Sequence, residues 1–335
     1  MLKPFGKFYL ILTCFLMISI SCEKEDSYNE SLKDYQTYVE PTTSNKMENF
    51  FFVGRVGYET GLYKLNLKSN KYEPFWSASN ENVIQLSYSD ELDYVFFITA
   101  RRLGAKQGVP FIKRIKLYSI DLKHSSVEQI IEIGDAVQLS AYWLDNNYKV
   151  QFTQFDMKIA SHINKSNQFY SPFGKLIMEE IETFDFIKEG YPQFETKLKS
   201  SISPSGNFGI KQSEGSVFLS IADAPDKVFI DSTAGKISNV KWNTDEVYVF
   251  FRADSANGNV NNQISSKIYV YDIINKKIVR KWDSEDKINF IIANDLLILD
   301  TRINNRSAID VFNYKKNEDI VKIHLKGGCG IINIL

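Results

Sequence analysis

The chain repeats one hairpin around itself, and that repetition limits the fold more than any other feature. The clearest copy is Lys267-Ile-Tyr-Val-Tyr-Asp-Ile-Ile-Asn-Lys-Lys-Ile-Val-Arg-Lys-Trp282. Branched and aromatic residues suited to a pleated, half-buried surface run to Asp272. Asn275-Lys276 supplies a turn, and a second apolar run follows. The pattern recurs at Leu62–Leu67, turning at Ser69-Asn70 before Tyr72–Trp76, and at Leu117–Leu122. Looser copies lie at Val217–Leu219 and Ile309–Asn313.

Aligning the copies on Tyr63, Tyr118, Phe218, Tyr269 and Asp310 gives a period of roughly 40–55 residues, the period of propeller blades. One interval is about twice as long and leaves room for a degenerate copy within residues 136–190. An earlier hairpin opens each unit, with turns at Ser89-Asp90-Glu91, Asp145-Asn146-Asn147, Pro204–Asn207, Asn243-Thr244-Asp245 and Asn294-Asp295. Two hairpins per unit make a four-stranded blade. The expected fold is therefore all-β, a six-bladed β-propeller of four-stranded antiparallel blades over residues 49–335. The first unit, from Phe50-Phe51-Phe52-Val53, has three recognisable strands, and the tail Gly330–Leu335 is strand-like. That tail is expected to supply the missing innermost strand and close the ring, removing exposed edges.

Over roughly residues 49–335 the chain resembles the TolB-like, WD40-like family of six-bladed propellers. Ser203-Pro204-Ser205-Gly206-Asn207 is similar to that family's Ser-Pro-Asp-Gly-Lys turn, with Ser205 where Asp is usual. The resemblance implies a fold and an interaction platform, and no particular activity.

Residues 1–21 read differently. Lys3 and Lys7 precede an apolar run from Phe8 to Ile20, too short for a typical spanning helix, as in a signal peptide. Ser19-Ile20-Ser21-Cys22 resembles a bacterial lipobox, which implies cleavage before Cys22 and lipidation of its thiol. Several acyl chains on one cysteine anchor stably. Glu23-Lys24-Glu25-Asp26 resembles the surface-export signal of Bacteroidota-type lipoproteins, with an ordinary linker as the alternative. Residues 22–48 are polar and read as a tether, placing the domain on the order of 30 Å from the membrane. The expectation is an outer-membrane lipoprotein exposed at the cell surface.

The remaining composition excludes more than it selects. The chain has 40 basic and 41 acidic residues, so nothing points to nucleic acid. Beyond Cys14 and Cys22 only Cys329 remains, and it reads as a small buried hydrophobe. His124, His162 and His324 are isolated, with no metal-ligand spacing, and residues 254–261 fail the spacing of a calcium loop. No nucleophile elbow or phosphate-cradling loop occurs, so neither metal nor cofactor is expected. The four tryptophans recur at equivalent blade positions, Trp143 with Trp242 and Trp76 with Trp282, and read as packing.

One pattern points to a ligand. Arg55, Arg101, Arg102, Arg252 and Arg302 lie near the ends of second strands in four units, with Lys211 a weaker fifth. Between Arg101 and Lys116 stand six cations and no acid, in what reads as a long loop. Guanidinium groups gathered at one mouth suit carboxylate, phosphate or sulfate. The alternative is that each Arg pairs with a nearby acid such as Asp254 or Asp300. The leading expectation is a binding or scaffold module for an envelope protein or an anionic glycan or peptide. A carbohydrate- or peptide-processing enzyme using carboxylates in the same mouth is the other reading.

Overall fold

The alternating runs form strands because each has a neighbour to pair with and a sheet to bury it. The computed structural model describes residues 48–330 apart from 90–93, 107–108, 145–146, 195–200, 223–226, 233–234, 257–263, 285–287, 304–305 and 326–329. Among the described residues the regular structure is all β, with no helix, in six antiparallel sheets that follow one another along the chain. The first holds β1 (Asn49–Val56), β2 (Glu59–Asn66) and β3 (Lys71–Trp76). The second holds β4 (Asn82–Tyr88), β5 (Tyr94–Ala100), β7 (Val109–Asp121) and β8 (Ser126–Ala136), with β6 (Arg102–Lys106) paired to the early part of β7. The third runs β9 (Gln138–Leu144), β10 (Asn147–Phe155), β11 (His162–Tyr170) and β12 (Leu176–Asp185), filling the place expected for the degenerate copy. The fourth is β13 (Phe208–Ser213), β14 (Ser216–Ile221) and β15 (Lys227–Ser232). The fifth is β16 (Lys236–Trp242), β17 (Tyr248–Ala256), β18 (Ile264–Asp272) and β19 (Lys277–Ser284). The sixth is β20 (Asn289–Ala293), β21 (Leu296–Ile303), β22 (Arg306–Asn313) and β23 (Glu318–His324).

The repeated Asp or Asn after the third run has a local cause. Asn66 Oδ1 accepts the amides of Lys68 and Ser69 at 3.0 and 2.8 Å, and Asp121 Oδ1 accepts those of Lys123 and His124 at 2.8 and 3.2 Å. Asp272 and Asn313 take the amides of Asn275 and Lys316, each at 2.9 Å. Such side chains satisfy a turn's own backbone. Four residues on, the chain turns through left-handed conformations at Asn70, Ser125, Lys276 and Asn317, with φ between 51° and 58°.

The turns uphold the alignment of the repeat, because Asn66–Lys71, Asp121–Ser126, Asp272–Lys277 and Asn313–Glu318 are equivalent closing pairs. In every sheet the last pairing slips beside an aromatic: Tyr63, Tyr118, Tyr170, Phe218, Tyr271 and Phe312. The slip stands three residues before the turn Asn or Asp at Tyr63 and Tyr118 and one before it at Tyr271 and Phe312, so the bulge moves by two while Tyr269 and Asp310 keep the place of Tyr63 and Tyr118.

Neighbouring sheets share apolar clusters. Phe51, Val53 and Leu62 pack with Val83, Leu86 and Phe97 between the first and second sheets. Phe96 and Ile98 meet Leu139, Ala141 and Tyr148 between the second and third. Others join the fourth to the fifth and the fifth to the sixth. Phe50, Phe52 and Leu65 pack with Ile291, Ile298 and Val311, so the first sheet also meets the sixth. This explains the unbroken run Phe50–Val53: alternate side chains serve two different cores, and all four are 0% exposed. Each buried Phe contributes about 1.5–3 kcal/mol by transfer from water. Trp143 packs on Phe96, Trp76 on Phe97, Trp242 on Phe208 and Trp282 on Phe312, each across two sheets.

Beyond the sixth sheet, Gly330 pairs with Val53 on the free side of β1, through amides at 2.7 and 2.9 Å. Residues 331–335 lie outside the described residues, as do the signal-like segment, Cys22 and nearly all of the tether.

Candidate functional site

The stretch expected as a basic loop is a strand pair. After β5 the chain bends at Arg101 and continues as β6 against β7, where Arg102 faces Lys113. The Arg101 amide donates to the Lys113 carbonyl at 2.9 Å. On the other side of β7 the ladder with β8 breaks. Ile112 faces Ala136 and Ile115 faces Gly134, so Lys113 and Arg114 together stand opposite Asp135. Two residues against one is a β-bulge, which bends a strand and re-aims its side chains. Arg114 has φ 49° and Gly134 φ 87°, both left-handed. The Asp135 carboxylate accepts the Arg114 amide at 2.9 Å and fixes the bulge. Gln154 on β10 holds the other side, its Nε2 donating to the carbonyls of Ile133 and Asp135 at 3.1 and 2.9 Å.

The result is an open pocket of about 510 Å³ lined by Asn80, Arg101, Arg102, Lys113, Arg114 and Asp135. Asn80 reaches it from the connection between the first two sheets, at φ 61°. The volume lies in the range of small-ligand sites. All six residues are exposed. Among the described residues no carboxylate stands within ion-pair distance of Arg101, Arg102, Lys113 or Arg114. Lys113 also lies 5.3 Å from the centre of the Phe111 ring. Four cations against one acid make the pocket electropositive.

The other cations of the run differ. Lys116 closes an ion pair with Glu81, whose carboxylate also accepts from Thr99 Oγ1 and Tyr118 Oη, each at 3.0 Å. Burial raises the Glu81 pKa, but these hydrogen bonds and the Lys116 charge outweigh it and hold the carboxyl below its ordinary value. The side chain of Lys106 lies outside the described residues.

Of the five arginines singled out in the sequence, the structure brings Arg101 and Arg102 together. Arg55 is half-buried near the end of β1, its Nε donating to the Gly57 carbonyl at 3.2 Å. Arg302 lies in β21 opposite Ser307, and its side chain is outside the described residues. Arg252 is 3% exposed and engaged inside the protein. It pairs with Asp254 at 3.0 Å and donates to Ser238 Oγ at 2.9 Å, the Ile288 carbonyl at 2.9 Å and Asn289 Oδ1 at 2.8 Å. Burial lowers its pKa from the ordinary guanidinium value, and Asp254 opposes that shift. For Arg252, pairing with a nearby acid is what the structure holds. Lys113, Arg114, Asp135 and Asn80 complete the pocket. The basic run pointed to the first two, while the Gly134-Asp135 pair carried no signal without the register.

Among the described residues no group of three or more His, Cys, Asp or Glu is arranged to hold a metal ion. His124 Nδ1 instead meets Asp121 Oδ2 at 2.7 Å.

No protein-family model matches the chain, and no curated protein matches it. Solved structures similar to it include TolB from Acinetobacter baumannii, at 10% identity and a TM-score of 0.46, covering 86% of this chain and 66% of that one. The chain thus spans just under two thirds of that TolB structure. The β-propeller domain of the Trilobed protease from Pyrococcus furiosus is similar at 13% identity and a TM-score of 0.42, covering 83% and 92%. AztD from Citrobacter koseri is similar at 9% identity and a TM-score of 0.37, covering 85% and 99%.

Proposed function

We propose that this protein is a lipid-anchored cell-envelope β-propeller that binds an anionic ligand, a glycan or an acidic segment of an envelope protein, in the pocket on its second sheet. The observation that carries the reading is the bulge that places Lys113 and Arg114 beside Arg101 and Arg102, none of the four having an ion-pairing carboxylate among the described residues. Clustered cations left without acids are costly to the fold through mutual repulsion, and an anion relieves that cost. Glycosidic chemistry uses two carboxylates, whereas among the described residues Asp135 is the one carboxylate lining the pocket, which favours binding over hydrolysis.

In this reading the six sheets are six blades. Residues 331–335 continue from the Val53–Gly330 pair as the innermost strand of the first blade, and the shared cluster of the first and sixth sheets supports that closure. Cys22 carries the lipid, and residues 23–48 are the tether to the outer face of the envelope. The binding claim is tested by thermal shift of the purified protein against acidic sugars, sulfated glycans, phosphates and acidic peptides. A ligand at a hundred times its Kd stabilises by about 2.7 kcal/mol. Arg101→Ala and Lys113→Ala are expected to abolish the shift. A hit that survives both places the site elsewhere. Anchoring is tested by fatty-acid labelling of wild type and Cys22→Ala, and equal labelling of the two excludes Cys22.

A further inference from the structure

We propose that the pocket selects anions carrying hydroxyl groups beside their charge, the chemistry of acidic saccharides, and that Asp135 makes the selection. The inference rests on the reading above that the pocket binds anions. A pocket built only to hold a bare phosphate or sulfate gains nothing from a carboxylate among its cations, because like charge repels. Asp135 nevertheless stands there, and it is fixed from three directions. Its carbonyl accepts from Gln154, its carboxylate accepts the Arg114 amide, and it occupies the single position opposite the two-residue bulge. None of the four cations of the pocket pairs with its charge. A carboxylate is acceptor-only and has several lone pairs, so one amide leaves acceptor capacity facing the pocket. Asn80 on the rim offers a second side-chain carbonyl. Cations for a carboxylate or sulfate, next to acceptors for hydroxyls, match a sugar ring bearing an acid group. A site built to hydrogen-bond a hydroxyl discriminates strongly against ligands lacking it.

The test is titration calorimetry on the purified protein with D-glucuronate and inorganic sulfate, in wild type, Asp135→Asn and Arg101→Ala. Asn at 135 keeps an acceptor for the Arg114 amide and removes the charge. Coulomb's law alone predicts that Asp135→Asn tightens every anion. The proposal predicts instead that glucuronate binds wild type at least tenfold tighter than sulfate does. It further predicts that Asp135→Asn weakens glucuronate about tenfold while sulfate is unchanged or tighter. Arg101→Ala weakens both. If Asp135→Asn tightens both ligands, or sulfate matches glucuronate in wild type, hydroxyl selection is wrong and anion binding stands. If neither ligand binds wild type, hydroxyl selection is wrong, and anion binding falls with it only if the phosphates and acidic peptides of the thermal-shift panel also fail.

Discussion

Arg252 lies on β17 yet its hydrogen bonds reach the start of the sixth sheet, so its removal tests a joint between sheets and not a ligand site. The side chain is 3% exposed, with Asp254 at 3.0 Å and acceptors on Ser238, Ile288 and Asn289. Asp254 also accepts from Ser266 Oγ at 2.7 Å and is itself largely buried. Arg252→Met keeps most of the volume but leaves the carboxylate and three acceptors without their donor. Breaking a buried pair from one side costs about 3–5 kcal/mol. At about 2–4 °C per kcal/mol for a large domain, the melting temperature falls on the order of 10 °C. Asp254→Asn added to Arg252→Met removes the stranded charge and should recover part of the loss, giving a clear coupling energy in the double-mutant cycle. Urea denaturation of the four variants measures this, and the same samples are titrated with the pocket's ligand. Affinity should be unchanged wherever the protein is folded. A loss below about 1 kcal/mol, or additive effects, would refute the structural role. A folded Arg252→Met variant that no longer binds would restore Arg252 to the ligand site.

Three further outcomes follow from single residues. Gly330 has φ 66°, and an added Cβ would meet the Asp300 carboxylate, so Gly330→Ala should destabilise by more than about 1 kcal/mol in urea melts. Glu81 has a folded pKa below its ordinary value, so its stabilisation is present above the unfolded carboxylate value near 4 and is lost as pH falls through the folded one. Glu81→Gln should remove that acid-side loss from a pH series of unfolding midpoints. Asp310 is the opposite case. Burial raises its pKa despite the opposing Lys322 at 3.2 Å, so its contribution is full below the unfolded value and falls away as pH rises through the folded one. The stability of Asp310→Asn relative to wild type should therefore increase from pH 4 to 7.

The fold was legible where a residue type has one physical use. Asn66, Asp121, Asp272 and Asn313 cap the turn amides with their side chains, and the period was read from the apolar runs that end on them. The run Phe50–Val53 marked the start of the first unit, and the structure buries it on both faces. The site was less legible because nearness to a strand end does not fix direction. Arg101 follows the last residue of β5, whereas Arg252 lies inside β17 and points into the protein. One residue along a strand reverses the face, and a bulge reverses it again. Nothing in the run Phe111–Leu117 distinguishes a straight strand from one that ejects Lys113 and Arg114. That depends on Asp135 and Gln154, which approach from β8 and β10. A site made by pairing is written in three stretches at once.

One pair of successive sheets lacks an apolar joint among the described residues. Apolar clusters join first to second, second to third, fourth to fifth, fifth to sixth and sixth to first sheets. Among the described residues none joins third to fourth. On β10, Tyr148, Val150 and Phe152 pack toward the second sheet. The alternate residues Lys149, Gln151 and Thr153, with Lys165 and Asn167 across on β11, are buried but polar. Gln151 Nε2 donates to Asn167 at 2.9 Å, while its Oε1 is buried without a partner. Burial of apolar surface drives cohesion, whereas a hydrogen bond made inside replaces one made to water for about 1 kcal/mol net. A polar face therefore opens at lower cost than the five apolar ones. Hydrogen exchange in sub-denaturing urea should show β10, β11, β13 and β14 exposing their amides together, before β1, β21 and β22. Uniform protection across the six sheets would mean that this polar face binds as firmly as the aromatic joints do.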